Sequence, residues 1–335
     1  MALLHTLFAL LLRINVLLTP HPLRLFEFCD LPSFPPFLRA ACQSMLTAQW
    51  TRRLPALQRV SPAVHAADVL AALLTRLERA DSSSPIAIVD VCSGAGGPVP
   101  HIEALVNARR RAEGSSPVDF VMSDLHPHIV AWEEACRGRA HLRFVPDSVD
   151  ATAVNETAVA VQRSLGKRTR TLRTFFLAFH HFDDVAAARV LEDAVRGADA
   201  LAVVELQDRR AGSVALMLLE GALVLLVTWI WFPWEWRRWA CTYAVPILPA
   251  VMVWDGVVSC LRTREACEMR ALVGEAAEAD AWTWEAGRKL HTWPVGNVNW
   301  FVGWRDENRA DRVAGTLRAS KRTGAEAGRD HSRRA

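Results

Sequence analysis

The sequence lacks the cysteine pairs that a disulfide scaffold or a structural zinc site would need. Its 335 residues contain seven cysteines, an odd number, and no Cys-x-x-Cys pair occurs among them. Small disulfide-rich folds and zinc fingers depend on such pairs, so both are excluded as the feature that organises this chain. The same cysteine usage favours a reducing compartment, and a chain of this length can bury its own hydrophobic core.

Strong charge of one sign is also missing. The net charge is +3 at pH 7, and Lys and Arg form no stripe interleaved with aromatic residues. A nucleic-acid groove needs such a basic surface, so we predict no nucleic-acid partner. His126 and His128 form a His-x-His pair, but no third ligand accompanies them in the sequence. We therefore predict no metal site.

Long apolar runs, in contrast, are present in three places: residues 1–18, 214–232 and 239–258. The second and third runs approach the roughly 20 residues that span a bilayer. Each contains an acid, Glu220 in the second run and Asp255 in the third. An ionisable group within such a run is a candidate functional residue. We predict that both acids contribute to a substrate site.

The link between the last two runs, residues 233–238, reads PWEWRR. Tryptophan and arginine concentrate at membrane–water boundaries, because each has an apolar body and a polar tip. This pattern predicts a membrane hairpin that spans or re-enters the bilayer. The alternative is a pair of buried helices that cap the site of a soluble enzyme. We expect the protein to be membrane-associated, with membrane lipid as a partner and the catalytic domain in the cytosol.

Between the apolar runs, segments with the pattern of strands alternate with segments with the pattern of helices. Strands are predicted at 86–91, 118–124, within 142–151, and at 171–182, 200–206, 281–287 and 297–304. Helices are predicted at 61–80, about 98–111, 126–136, 183–199 and 263–279. Alternation of this kind predicts an α/β fold with a doubly wound, mostly parallel seven-stranded sheet. The last two strands are expected to form an antiparallel hairpin.

The apolar helical hairpin is therefore expected as an insertion after the fifth strand. The predicted organisation is an apolar N-terminal segment and lead-in (1–59), a nucleotide-binding domain (60–212), the hairpin (213–258), the closing helix and strand pair of that domain (259–304), and a basic, disordered tail (305–335).

The first strand ends in an acid and a run of small residues, Asp90-Val-Cys92-Ser-Gly94-Ala-Gly96. A dinucleotide-binding turn would need a third glycine where Val99 stands, and the Gly-Lys-Ser/Thr of a phosphate-binding loop is absent. The Gly-x-Ser-x-Gly turn of α/β-hydrolases is absent too.

This segment resembles the first motif of class I S-adenosylmethionine-dependent methyltransferases, Asp-x-Gly-x-Gly-x-Gly, with Cys92 in place of the first glycine. More narrowly, residues 26–40 and 243–264 are similar to segments of a membrane-associated branch of that superfamily. The resemblance implies a Rossmann-like methyltransferase fold, S-adenosylmethionine as cofactor, and methyl transfer to a small lipophilic or membrane-associated acceptor.

The resemblance also implies roles for residues at the ends of later strands. Asp124 would accept hydrogen bonds from the ribose hydroxyls, with Leu125 beside it. Asp150 and Ala151 would lie by the adenine, Phe179 by the methyl donor, and Glu205 near the substrate. The implied donor-binding residues are Asp90, Cys92, Gly94, Gly96, Asp124, Leu125, Asp150, Ala151 and Phe179.

The histidine pair His180-His181 is the candidate general base, since an imidazole titrates near neutrality. Its alternative role is that of an aromatic wall that shapes the pocket. Two other functions stay open: a non-catalytic membrane protein with a degenerate nucleotide-binding fold, and an NAD(P)-dependent reductase. The reductase is disfavoured by Val99 and by the absence of a Tyr-x-x-x-Lys pair, since the single tyrosine, Tyr243, lies in an apolar run.

Overall fold

The computed structural model describes residues 15–153, 165, 169–274 and 279–306. Most of the first apolar run and the tail that was predicted to be disordered lie outside the described residues. Within the described part, seven strands form one sheet in the order β3-β2-β1-β4-β5-β7-β6. The strands are β1 Ile86–Val91, β2 Asp119–Ser123, β3 Leu142–Phe144, β4 Arg170–Phe176, β5 Ala200–Glu205, β6 Trp282–Thr292 and β7 Gly296–Arg305.

The pairing confirms the predicted fold class. Strands β3, β2, β1, β4 and β5 are mutually parallel, whereas β7 runs antiparallel to both β5 and β6. Every residue of β1 and of β5 is buried, as expected of central strands covered on both faces. The helices are α1 Pro36–Thr51, α2 Pro62–Ala80, α3 Val99–Ala112, α4 Ile129–Cys136, α5 Asp184–Gly197, α6 Ala211–Trp231, α7 Ile247–Arg262 and α8 Ala266–Gly274.

Helix α5 begins as the sequence predicts, because the Asp183 side chain accepts a hydrogen bond from Ala186 N at 2.8 Å. Helix α2, in contrast, begins without a side-chain cap. Ser61 occupies the cap position, but its hydroxyl makes no capping bond. The amide of Val64, which that hydroxyl would accept from, donates to the Ser61 carbonyl instead.

Several predicted helices and strands differ in length from those in the structure. Strand β4 ends at Phe176, because Leu177 turns the backbone to a φ of 54°, and a 3-10 turn at Phe179–His181 follows. Helix α4 begins at Ile129 instead of residue 126, since the Asp124 carboxylate holds His126 N in a turn. Helix α8 covers Ala266–Gly274 of the predicted 263–279, while β6 extends five residues beyond its predicted end to Thr292.

The predicted apolar hairpin exists as α6 and α7, joined by a short helical segment, Trp236–Ala244. Helix α6 has 21 residues. Its most apolar stretch of 18 residues has a mean hydropathy of 2.2, and only 28% of that stretch is buried. It is the one continuous described helix that is long and apolar enough to cross a membrane. The segment 236–244 and α7 pass the same test together but are bent by 76°.

The two hairpin helices pack closely through small residues. A Cβ atom placed on Gly256 would lie 2.8 Å from Met217 Sδ, and one on Gly221 would lie 2.9 Å from Val253 Cγ2. Glycine at these two positions therefore allows the backbones to approach, as small residues do where helices cross in membranes.

The lead-in packs on the hairpin. Leu18 N donates to Arg209 O, and Leu23 N donates to Leu261 O, so the segment runs between β5 and α7. Helix α1 then shares a buried apolar cluster with the hairpin, formed by Phe34, Leu38, Ala41, Cys42, Met45, Val224, Val227, Leu248, Val251 and Met252. The insertion and residues 15–51 are thus one packing unit.

Candidate active site

The candidate site lies at the carboxyl ends of the parallel strands. Strand β1 has β2 on one side and β4 on the other, so the direction of winding reverses between β1 and β4. Ligands of open α/β sheets bind outside the carboxyl ends of the strands at this kind of reversal. The predicted site residues Asp90, Asp124, His180 and Glu205 all stand at or just beyond such strand ends.

The loop after β1 has a left-handed backbone at four positions. The φ angles are 64° at Cys92, 51° at Gly94, 100° at Gly96 and 44° at Gly97. Gly96 N donates to Ser93 O at 2.8 Å, and Trp132 Nε1 donates to Gly94 O at 2.9 Å. The bond from Trp132 thereby ties helix α4 to a tight loop. Cys92 stands in a conformation that glycine adopts without steric cost.

Replacing Cys92 by glycine is expected to leave the free energy of unfolding unchanged or to raise it by up to about 1 kcal/mol. A left-handed conformation costs a residue with a Cβ roughly 1–2 kcal/mol, and the added freedom of glycine in the unfolded chain offsets part of that gain. Cys92→Val is the contrasting variant, because a β-branched side chain tolerates this backbone worse. Thermal and urea unfolding measure both. A Cys92→Gly variant less stable than Cys92→Val would contradict the loop geometry.

Three carboxylates surround this loop. Asp90 is buried and accepts from Ser93 Oγ at 2.7 Å and from Thr174 Oγ1 at 3.0 Å. Asp124 Oδ2 accepts from Gly94 N at 2.8 Å, which ties the ends of β1 and β2 together. Asp150 follows β3 and accepts from the backbone amide and the hydroxyl of Thr152, each at 2.8 Å.

All three acids lie close enough to the Cys92 thiol for their charges to act on it. Burial, and then the charges of Asp124, Asp90 and Asp150, raise the pKa of that thiol well above its usual range. Cys92 is therefore a neutral thiol near pH 7 and no nucleophile. A loop with three carboxylates around it favours a cationic ligand, and it opposes the double negative charge of a pyrophosphate.

Burial raises the pKa of Asp90 to about 7, with a smaller contribution from the charge on Asp124, although Ser93 and Thr174 donate to its carboxylate. In the unfolded chain this pKa is about 3.9. The folded state thus binds the proton more tightly, and the stability that this proton contributes is lost as the pH rises from about 4 through 7.

Replacing Asp90 by asparagine should remove that dependence. Between pH 5 and pH 8, the unfolding free energy of the wild type is expected to fall as the pH rises. In the variant this fall should be smaller by about 1–3 kcal/mol. Urea unfolding at several pH values measures the difference. Parallel curves for the two proteins would show that Asp90 titrates normally in the fold.

The remaining predicted donor-binding residues differ in accessibility. Leu125 is 49% exposed beside Asp124, whereas Ala151 is buried. Phe179 is buried too, and its ring packs edge-on against Phe175 at a centroid distance of 5.6 Å. Leu125 is therefore free to cover a ligand, while Phe179 is packed into the apolar core next to the histidine pair in the chain.

The two predicted histidines lie in the turn after β4. His180 is buried; its Nδ1 is 3.0 Å from Glu205 Oε2, and its backbone amide donates to Glu205 Oε1 at 3.2 Å. His181 is partly exposed, and its Nδ1 lies 3.1 Å from Asp30 Oδ1. The ring centroids are 4.2 Å apart. The structure thus joins the candidate base to the predicted substrate residue Glu205.

Sequence reasoning missed Glu27, a buried acid that faces both histidines. Glu27 Oε1 is 3.7 Å from His180 Nε2, and Oε2 is 3.9 Å from His181 Nε2. Burial raises the pKa of Glu27 to about 7, against the charges of His181 and Arg262. Arg262 Nη1 contacts Glu27 Oε1 at 3.0 Å. A single acid between two phenylalanines, in Phe26-Glu27-Phe28, was the available signal.

The two acids of the apolar runs have different partners. Glu220 is buried and accepts from Gln49 Nε2 at 2.8 Å, which links α6 to α1. Asp255 accepts from the backbone amides of Phe28 at 2.7 Å and Cys29 at 3.1 Å. Asp255 therefore holds the turn that follows Glu27. For both acids, a direct role in binding substrate stays a prediction.

A cavity of about 220 Å³ adjoins His180 and Glu205 on the side of β7. Its wall also includes Arg264, Met269 and Trp300. The cavity does not reach the loop after β1, and it is smaller than the pockets of 300 Å³ or more that usually hold drug-sized ligands. We therefore locate the candidate donor site by the loop and its acids.

No known protein family matches the sequence, and no curated protein matches it either. Among solved structures, magnesium protoporphyrin IX methyltransferase (ChlM) from Synechocystis PCC 6803 with bound SAH is similar at 13% identity and a TM-score of 0.40, covering 81% of this chain and 99% of that one. The methyltransferase domain of bacterial CtHen1-C is similar at 7% identity and 0.40, covering 72% and 97%. The [4+2]-cyclase SpnF is similar at 12% identity and 0.39, covering 86% and 99%.

Proposed function

We propose that this chain binds S-adenosylmethionine at the loop after β1 and transfers its methyl group to a lipophilic acceptor beside His180 and His181. The observation that carries the proposal is the placement of three carboxylates around a left-handed loop at the reversal point of the sheet. A sulfonium ligand brings positive charge, which this surrounding favours.

The residues present fit this ligand. Each Asp124 oxygen accepts one backbone hydrogen bond, from Gly94 N and from His126 N, at 2.8 Å. A carboxylate oxygen has two acceptor sites, so each oxygen keeps one for a hydroxyl of a vicinal diol such as ribose. Gly97 adds open space, since nothing lies within 4 Å of a Cβ atom placed on it.

Methyl transfer forms a bond from an acceptor lone pair to the methyl carbon while the carbon–sulfur bond breaks and its electron pair stays on sulfur. An acceptor hydroxyl or thiol must also release a proton. Glu205 holds the Nδ1 side of His180, which leaves Nε2 as the acceptor atom on the face toward Glu27. Holding the acceptor in line is the larger contribution expected of the protein, worth several kcal/mol.

Calorimetric titration of the full chain tests the proposal against its alternatives. We expect saturable binding of S-adenosylmethionine and no binding of NADH. Binding of NADH alone would support a reductase. Binding of neither nucleotide would support a non-catalytic membrane protein.

We further propose that membrane lipid covers the exposed face of the hairpin, with the α/β domain in the cytosol. Helix α6 is roughly 31 Å long, about the thickness of the hydrocarbon core. Its exposed side chains include Leu218, Leu219, Leu226, Trp229 and Ile230. Trp234 and Trp236 are exposed at the hairpin turn beside two arginines, which fits a membrane–water boundary.

Replacing Leu219, Leu226 and Ile230 together by glutamine is expected to release the protein from membranes or to remove its need for detergent. Deleting the whole hairpin, residues 213–258, would test membrane binding less cleanly than these substitutions, because helix α1 would lose its packing partners in the hairpin. A matched control replaces Val130 and Val185, exposed on α4 and α5, in the same way. Flotation with phosphatidylcholine vesicles measures the effect. Wild-type protein that stays soluble and monomeric without detergent would contradict lipid binding.

A further inference from the structure

We infer that Glu27, His180 and His181 form a binding site for one divalent transition-metal ion, with Zn²⁺ as the ion that best fits this ligand set. Within the described residues, these three side chains each offer a ligand atom, and all three atoms lie within 4.8 Å of one another. The site goes beyond methyl transfer and does not depend on it. An ion bound at His180 Nε2 would replace that nitrogen as the group that promotes loss of the acceptor proton.

The distances suit a metal with short bonds. His180 Nε2 lies 3.7 Å from one Glu27 oxygen, and His181 Nε2 lies 3.9 Å from the other. Ligand atoms of a tetrahedral zinc site with bonds of 2.0–2.1 Å are about 3.3 Å apart. His181 Nε2 and Glu27 Oε2 would need to close by about 0.6 Å, and no pair of the three ligand atoms by more than about 1.5 Å, since all three lie within 4.8 Å of one another. At their present separations they are too far apart for direct hydrogen bonds.

Each histidine has its other ring nitrogen on a carboxylate. His180 Nδ1 contacts Glu205 at 3.0 Å, and His181 Nδ1 contacts Asp30 at 3.1 Å, with Arg262 Nη1 also 3.3 Å from His181 Nδ1. A carboxylate accepts the Nδ1 proton and leaves the Nε2 lone pair for a metal, which is the usual outer arrangement around ligating histidines. Both Nε2 atoms face Glu27, so the two carboxylates prepare the same site from opposite sides.

His180 Nε2 supplies an independent indication of a ligand. The histidine side chain is 1% exposed, and this nitrogen is buried without a hydrogen-bond partner in the part of the chain that the structure describes. Buried polar atoms of this kind require a partner, such as a water molecule or an ion. The atom points into the space that Glu27 and His181 enclose.

Glu27 has one oxygen available for a metal. Its Oε1 already accepts from Arg262 Nη1 at 3.0 Å and from Ser259 Oγ at 3.1 Å, which uses both acceptor sites of that atom. Among the described residues, Oε2 has only the distant contact with His181 Nε2. Asp30 and Glu205 add negative charge on the outer side of the two histidines, and Arg262 and Arg24 offset part of it.

The ligand set selects the class of ion. Two imidazoles and one carboxylate suit Zn²⁺ or Fe²⁺, whereas Mg²⁺ and Ca²⁺ prefer oxygen ligands alone. Three protein ligands leave a fourth position open, as in catalytic zinc sites. An ion held here would be accessible to a heteroatom of a bound acceptor.

The test uses the full chain purified in detergent and treated with a chelator. We expect one equivalent of Zn²⁺ to bind in competition with a chromophoric chelator, and Co²⁺ to bind with visible d–d absorption. Glu27→Gln and His181→Ala are each expected to lower Zn²⁺ affinity at least about 100-fold, and Asp30→Asn about 10-fold, since outer partners contribute less. His128→Ala, an exposed histidine outside the cluster, is the matched control.

Absence of a saturable Zn²⁺ site in the wild type would overturn the inference, and so would wild-type affinity in His181→Ala. If Glu27→Gln fails to fold, as judged by circular dichroism, the half-exposed His181 decides the result. S-adenosylmethionine titration of the same wild-type protein separates the two proposals. Zinc binding without donor binding overturns methyl transfer alone, and the reverse overturns the metal site alone.

Discussion

Replacing Asp124 by alanine is expected to lower the affinity for S-adenosylmethionine at least about 100-fold. The variant would lose two charge-assisted hydrogen bonds to the ribose, each worth about 1.5–3 kcal/mol, and every 1.4 kcal/mol is tenfold in affinity. It would also lose the bond from Gly94 N, which positions the loop after β1. Isothermal titration calorimetry at one pH and salt concentration measures the loss.

Two further variants separate ligand binding from folding. Glu133→Ala removes an exposed acid from the neighbouring helix α4 and should bind as the wild type does. Asp124→Asn keeps one carbonyl acceptor and should retain more affinity than alanine. Thermal unfolding of each variant shows whether the fold survives. Wild-type affinity in a folded Asp124→Ala protein would exclude this site for the donor.

The second large effect is expected in the β6–β7 hairpin, where Gly303→Ala should destabilise the fold by about 3 kcal/mol, the upper end of the usual range for overpacking. Gly303 is paired across the strands with Trp284, and a Cβ atom there would lie 2.3 Å from two carbons of the indole ring. The ring cannot retreat easily, because it stacks between Trp282 and Phe301. Overpacking in such a place costs 1–3 kcal/mol and occasionally more.

Gly274→Ala is the matched control for this prediction. Gly274 ends helix α8, and nothing lies within 4 Å of a Cβ atom placed on it. The change should leave stability within about 0.5 kcal/mol of the wild type. Urea unfolding compares the two variants. Equal stability of both alanine variants would show that Trp284 does not lie across Gly303.

The sheet could be predicted because its signals are local. Continuous apolar strands such as Ile86–Val91, the acid at their end and the small residues that follow are adjacent in sequence. The left-handed φ of Cys92 also agrees with a position where the motif expects glycine. The tryptophan-rich hairpin was visible as a pattern, whereas the pairing of Trp284 with Gly303 and of Trp300 with Gly287 depends on register.

The acids that face His180 and His181 could not be predicted, because they come from a distant part of the chain. Glu27 and Asp30 lie in a segment with no strong helical or strand pattern, about 150 residues before His180 and His181. Asp255 was recognised only as an acid in an apolar run. Its bonds to the amides of Phe28 and Cys29 show that it orders the segment that brings Glu27 inward.

The contact between Glu27 and Arg262 joins residues 235 positions apart. At a synthesis rate of about 5–20 residues per second, Glu27 leaves the ribosome roughly 10–50 s before Arg262 does. During that interval the loop after β1 and its acids are already made, while the residues that enclose Glu27 are not. A nascent chain is therefore expected to acquire its donor-binding loop first, and to bury Glu27 only once both hairpin helices have been synthesised.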